Sequence, residues 1–191
     1  MTDMSMVNLV KQAIADPQQF AKIVELYEAK LLRYICRFTG LDHQSGEDIL
    51  QEVFIKMYRN LNSFDPSLQF SSWAYRIAHN EALNYLRDNK HHKSVMPLEN
   101  DEEDAVNLID VLASEIDIPR DVKRSELAES VRVTLQNMPD DYKEVLILRF
   151  LEDKDYAEIS DIIKKPMGTV ATLLNRAKEH FKKVYSLHAH E

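Results

Sequence analysis

The sequence predicts an all-α protein made of two small helical domains joined by an acidic linker. Three observations carry that expectation. Apolar residues recur at helical spacing through most of the chain, and no alternating β-branched run is long enough for a strand. Glycine is scarce, at 3 of 191 residues, with 45% hydrophobic and 29% charged residues, which fits a helix-rich protein. Between Glu99 and Asp121 the composition changes: nine acids (Glu99, Asp101, Glu102, Glu103, Asp104, Asp110, Glu115, Asp117, Asp121) stand against one base, Arg120, with poor periodicity. That stretch reads as a linker or solvating spacer. The expected boundaries are 1–94 for the first domain, 95–121 for the linker and 122–191 for the second domain, sizes that 191 residues allow.

The elements follow in order. Asp16-Pro17 reads as a helix start, a cap followed by proline at the first helical position. Phe20, Ile23, Val24, Tyr27, Leu31, Tyr34, Ile35 and Phe38 then keep a helical period, and Gly40 is a natural stop. Ser45 with Asp48 suggests a capping box opening a helix over about Gly46–Leu61, with Ile49, Leu50, Val53, Phe54, Met57 and Leu61 facing in. After the turn NSFDPSLQ, Ser71 and Ser72 are candidate caps for a helix running to Arg87. Its stripe is Trp73, Ala74, Ile77, Ala78, Ala82, Tyr85 and Leu86, with Trp73 and Tyr85 read as core. Beyond the linker, Leu127, Val131 and Leu135 mark one helix, and Met138-Pro139-Asp140-Asp141 starts another. Asp155 caps a third, with Glu158 at the capping-box position. Lys165-Pro166-Met167-Gly168 breaks the chain before a last helix, about Thr169–Tyr185.

Charge narrows the function. A net charge of −8 argues against a generic basic nucleic-acid binder, so any such surface must concentrate its cations locally. Two places do. Off the stripe of the Trp73 helix lie Arg76, His79, Asn80, Asn84 and Arg87, which can donate to phosphates and to unpaired base edges. From Lys164 to Lys183 six bases (Lys164, Lys165, Arg176, Lys178, Lys182, Lys183) face one acid, Glu179. Two short helices, a brief turn and this basic segment suggest a helix-turn-helix whose second helix enters a DNA major groove.

Other classes find no support. The single cysteine, Cys36, can form no internal disulfide, suits a reducing cytoplasm and reads as a small buried residue. The N-terminus MTDMSMVNLVKQ has no signal-peptide pattern, and no apolar run is long enough to span a membrane. Adjacent His91 and His92, and His188 and His190 in the tail, lack metal-ligand spacing. No nucleophile constellation, Gly-rich phosphate loop or paired buried carboxylates stand out, so neither an enzyme activity nor a cofactor or metal is expected.

Two ordered motifs sharpen the reading. Glu47–Leu61 (EDILQEVFIKMYRNL) followed by FSSWAYRIAHN and YLR resembles region 2 of the bacterial sigma-70 family, most closely its extracytoplasmic-function (ECF) group, over about residues 20–93. The family pattern there is "EDxxQExF", a short loop, then "F.sWL..IA.N...D..R". LQNMPDDYKEVLILRFLEDKDYAEISDIIKKPMGTVATLLNRAK resembles region 4 of the same group, whose pattern includes "SY.EIA..L..P.GTVKSRL.RAR". There are departures. Ser160 stands where the family usually has alanine, Lys164 where it usually has glycine, and Ala171-Thr172-Leu173 replaces Lys-Ser-Arg.

The resemblance implies a cytoplasmic, dissociable promoter-specificity subunit of bacterial core RNA polymerase, commonly restrained by an anti-sigma factor. It implies polymerase docking through Asp48, Gln51 and Phe54, although Phe54 fits a partner groove and this chain's own core equally well. It implies −10 element contacts from Arg76, Asn80, Asn84, Arg87 and Lys90, with the segment Asp88–Ser94 (DNKHHKS) beside an extruded base. For the −35 element it implies Thr169, Thr172, Asn175, Arg176 and Lys178. The linker would run through the polymerase near its active-site cleft. Two further readings stay open: a stand-alone helix-turn-helix regulator of duplex DNA, and a protein that occupies polymerase without reading promoters.

Overall fold

The computed structural model describes residues 3–89 and 124–188, and every regular element among them is helical. Contacts divide the chain into two compact units, Met1–Lys93 with Asp161–Lys164, and Ser94–Ser160 with Lys165–Glu191. The acidic stretch, Lys90, His91 and His92 lie outside the described residues, as do the expected boundaries at 94/95 and 121/122.

In the first unit, α1 (Asp3–Ala15) buries Met6, Leu9, Val10 and Ala13 and packs on later helices. This helix was not expected. Its signal is the set of gaps three, one and three between those residues, a short stripe easily passed over ahead of the Asp16-Pro17 start. Asp16 does cap, its carboxylate accepting from Gln18 N at 3.0 Å, but the turn it opens is a 3₁₀ turn, Pro17–Gln19. α2 (Phe20–Thr39) follows directly, and Gly40 ends it in the left-handed region at φ 77°, its N–H bonding Cys36 O. Gly40 therefore meets the one demand that only glycine satisfies without strain.

α3 (His43–Arg59) begins earlier than expected, because Asp42 is its cap. The Asp42 carboxylate accepts from Ser45 N at 2.7 Å, and this bond holds its pKa below the ordinary carboxylate value. Ser45, expected as the cap, is the residue being capped. Leu61 belongs to a separate 3₁₀ turn, Leu61–Ser63, and is buried there.

α4 (Phe70–Asp88) starts before Ser71 and Ser72, and the preceding Gln69 makes no side-chain cap bond. The two serines lie inside the first turn rather than ahead of it. An aromatic cluster takes over the anchoring: Trp73 lies 5.8 Å from Phe64 and 5.2 Å from Phe70, ring centre to ring centre. Such rings dominate core energetics, and the edge-on Phe64–Phe70 pair, at 5.1 Å, adds about 0.5–1.5 kcal/mol beyond its burial. α2, α3 and α4 pack pairwise on one another, so the core lies on their shared faces.

In the second unit, α5 (Arg124–Gln136) and α6 (Asp140–Leu146) both pack along the last helix. The chain continues from α6 into a π-helical turn, Ile147–Leu151. α7 (Tyr156–Ile163) opens with the expected capping box: Asp155 accepts from Glu158 N at 2.8 Å, and Glu158 accepts from Asp155 N at 3.0 Å. α8 (Met167–His188) starts two residues before the expected Thr169, so Met167 and Gly168 are already helical. Val170, Leu174, Ala177, Phe181 and Tyr185 are its buried row. Among the described residues no helix is long and apolar enough to cross a membrane.

Candidate nucleic-acid interface

α4 turns its small residues inward. Phe70, Ala74, Ala78 and Ala82 are buried at four-residue steps, and alanines let neighbouring helices approach closely. The buried face extends further than the expected stripe. Tyr75 is buried 5.3 Å from the Tyr34 ring, and His79 is buried 6.2 Å from the Phe38 ring. His79 is thus a core residue and not a donor on the polar face. The expected core residues Ile77, Tyr85 and Leu86 are half-buried. The buried face is shifted because two ring-bearing side chains meet the α2 rings, which an apolar count of α4 alone does not register.

The remaining predicted side chains form the outer row of α4. Asn80 and Arg87 are exposed, and Arg76 and Asn84 half-buried. Three hydrogen bonds wire two of the row, Asn84 and Arg87, to Glu81 and to Lys56. Lys56 Nζ on α3 donates to Glu81 Oε2 at 2.6 Å, Asn84 Nδ2 to Glu81 Oε1 at 3.4 Å, and Arg87 Nη2 to Asn84 Oδ1 at 3.1 Å. Glu81 and Lys56 were not singled out from sequence. An acid within a donor-rich row does not declare its purpose until its partner on another helix is known.

On α3, Asp48 and Gln51 are exposed, one turn apart. Phe54 is half-buried with its ring edge-on to Phe20, at 6.4 Å. It therefore serves this unit's packing while keeping part of its surface open. Two further apolar residues on the same helix, Ile55 and Tyr58, are 40% and 46% exposed. They are missing from the sequence-predicted set, yet their signal was available: both are apolar and both fall off the Ile49–Val53–Met57 stripe. Asp48, Glu52, Glu81, Asn84 and Tyr85 line a cleft between α3 and α4.

The turn from α7 to α8 explains two departures from the resemblance. Lys164 sits in the left-handed region at φ 53°, a conformation suited to the glycine usual at that position. A non-glycine residue there costs roughly 1–2 kcal/mol. Ser160 Oγ donates to Lys165 O at 2.7 Å, a bond that the usual alanine cannot make, and so braces the strained turn from inside. At the start of α7, Arg149 Nη1 donates to Lys154 O at 2.9 Å and the guanidinium lies over the Tyr156 ring at 5.8 Å. These contacts pin the loop in which Asp153 adopts φ 50°.

α8 leaves Thr169, Thr172, Asn175 and Arg176 exposed on one side. Thr172 Oγ1 donates to Gly168 O at 2.9 Å, so its hydroxyl retains lone pairs and its methyl for outside contacts. Lys178 is half-buried, with its ammonium over the Phe150 ring at 5.4 Å. The basic excess counted along the segment is partly offset in space. Lys165 pairs with Asp141 at 2.9 Å, and Lys164 pairs with Asp161. Gly168 is exposed, and a Cβ built on it would meet nothing within 4 Å.

Two family models match the chain: Sigma-70 region 2 over residues 23–92, and Sigma-70, region 4 over residues 128–181. The chain is 32% identical to the ECF RNA polymerase sigma factor SigW of Bacillus subtilis, over 88% of this chain and 89% of that one. It is 35% identical to the RNA polymerase sigma-H factor of Pseudomonas aeruginosa, over 95% of this chain and 92% of that one. In fold it is similar to the sigma factor RpoE solved in complex with the anti-sigma factor NepR from Bartonella quintana. The TM-score is 0.63 at 16% identity, covering 88% of this chain and 98% of that one. With both regions matched in order and full-length relatives above 30% identity, this chain belongs to the sigma-70 family, in its extracytoplasmic-function group.

Proposed function

We propose that this chain is a promoter-specificity subunit that binds core RNA polymerase, directs it to −10 and −35 elements and then dissociates. Residues 1–94 form the unit for polymerase and −10 element, 95–121 the acidic connection, and 122–191 the −35 unit. The observation that carries the reading is the outer row of α4, where Asn80, Asn84 and Arg87 lie on the solvent side of a helix whose other side is locked in an aromatic core. Rigid placement of amides and cations is what reading separated strands requires.

The roles divide by element. Asp48 and Gln51 pair with polar groups on polymerase, and the open part of Phe54, with Ile55 and Tyr58, supplies apolar contact. Arg76 and Arg87 take phosphates, Asn80 and Asn84 take base edges, and Lys90 extends the cationic path. Thr169, Thr172 and Asn175 face the −35 bases, while Arg176 and Lys178 hold its backbone. Chemistry belongs to polymerase, and this chain acts in the cytoplasm without catalysing a reaction itself. An anti-sigma factor is a further partner, by analogy with the complex formed by its structural relative.

The test is transcription in vitro with bacterial core polymerase, with and without this chain, on fragmented DNA of its own genome. New start sites sharing −10 and −35 sequences are the expected result. Duplex binding by the free chain without new starts would replace this reading with a stand-alone regulator.

A further inference from the structure

We propose that Glu81 is a positioning residue for promoter reading, fixing the polarity of the Asn84 amide. The inference rests on the reading that Asn84 contacts a −10 base. Glu81 precedes Asn84 by one helical turn, and Arg87 follows it by one. Asn84 Nδ2 faces Glu81 Oε1 at 3.4 Å, and Asn84 Oδ1 accepts from Arg87 Nη2 at 3.1 Å. An ionised carboxylate only accepts, and a guanidinium only donates. The amide between them therefore has one permitted orientation. Flipped, it would set oxygen against carboxylate and NH₂ against guanidinium.

Glu81 is itself held in place. Its other oxygen accepts from Lys56 Nζ at 2.6 Å, across the gap between α3 and α4. The Glu81 side chain is only 13% exposed, so the carboxylate end of the clamp is sheltered from water, while Arg87 at its other end is open to it. Lys56 also neutralises an anion that would otherwise repel phosphate on this face. On the same edge of the guanidinium, Arg87 Nε donates to Asp88 Oδ1 at 3.5 Å. Asn84 keeps one N–H and one oxygen lone pair for an outside group. A donor and an acceptor in fixed order select a base edge that presents the reverse order, as adenine does to asparagine. An amide free to flip offers either order and accepts more than one base.

The experiment uses holoenzyme reconstituted with the full chain carrying Glu81→Gln, Asn84→Ala, both, or Lys56→Met. Each is assayed by transcription from a promoter library holding every single-base change in the −10 and −35 elements. An uncharged amide at position 81 can donate or accept, so Glu81→Gln releases the lock. The expected result is about a tenfold loss of discrimination at one −10 position. Asn84→Ala flattens the same position, and the double variant flattens it no further. Lys56→Met, which frees Glu81 from its anchor, blunts that position by a smaller factor. The −35 profile is the internal reference, because a folding defect lowers transcription from every promoter alike. If Asn84→Ala flattens a position that Glu81→Gln leaves sharp, Glu81 does not position the amide and the proposal falls, while base reading by Asn84 stands. If Asn84→Ala flattens no −10 position, the base-reading role falls and takes the proposal with it.

Discussion

Gly46 has no room for a side chain. A Cβ there would lie 2.3 Å from Cys36 Sγ and 3.1 Å from Leu32 Cδ1, across the contact between α2 and α3. Gly46→Ala is expected to destabilise the protein by roughly 1–3 kcal/mol, the usual cost of overpacking. Adding Cys36→Ala removes the sulfur and leaves its Cβ at 4.0 Å, so the double variant should recover much of the loss. Denaturant midpoints for the cycle read the coupling directly, and simple additivity would mean that the two residues do not meet. The α7–α8 turn gives a second residue-scale prediction. Ser160→Ala should cost about 1 kcal/mol by removing the bond to Lys165 O. Lys164→Gly should gain about 1 kcal/mol by relieving φ 53°. Melting curves of the two variants should therefore shift in opposite directions. The sequence marked Ser160 and Lys164 as departures and Cys36 as a small buried residue. It could not show that the first two compensate locally, or that Cys36 faces Gly46, because a contact between helices leaves no trace in periodicity. The same holds for the site. Asn84 and Arg87 were legible as donors, whereas Glu81 needed Lys56 on another helix to acquire a role.

At the scale of elements, helix type and order were legible for α2 to α8, while helix starts were less so. Spacing fixes which residues share a face, but a cap depends on where the backbone turns, and α3 chose Asp42 over Ser45. That choice has a pH signature. The backbone and side-chain bonds from Ser45 lower the Asp42 pKa in the folded state. The cap therefore contributes fully above the unfolded carboxyl value, about 4, and is lost as pH falls through the lower folded value. Asp16 and Asp65 are lowered in the same way, by bonds from Gln19 and Gln18, and from Ser67. Acid should therefore lower the melting temperature. In Asp42→Asn, which caps without titrating, part of that acid slope should vanish, and an unchanged slope would assign it elsewhere. On α8, Gly168 is helical and exposed with open space beside it, so nothing among the described residues requires glycine there. Gly168→Ala should raise stability by about 0.5–1 kcal/mol. If it also weakens use of −35-dependent promoters, the missing Cβ makes way for DNA backbone. If it does not, the glycine has no role in docking.

For the whole molecule, the decisive tension is between a net charge of −8 and a polyanionic target. Free duplex is repelled by most of this chain, and at the turn into α8 Lys164 and Lys165 already face Asp161 and Asp141. Few cations then remain to displace counterions. On the reading proposed above, Arg176, exposed on α8, and Lys178, braced over Phe150, are the cations of that helix that meet −35 phosphates. Each phosphate contact contributes about 0.9 to the slope of log affinity against log salt. Holoenzyme carrying Arg176→Ala or Lys178→Ala should therefore bind a −35 duplex with a slope shallower by about one, equally for all sequences. Thr169→Val should leave the slope unchanged and alter which −35 bases are preferred, because a hydroxyl lost from a base contact releases no counterion. The free chain, with so small a cationic surface, should show no saturable binding to promoter duplex at about 0.15 M salt. On the proposed reading, specificity emerges only when polymerase supplies the remaining cations and separates the strands for α4. Tight, sequence-specific binding by the free chain at that salt would contradict this division of labour and return the molecule to the class of self-sufficient regulators.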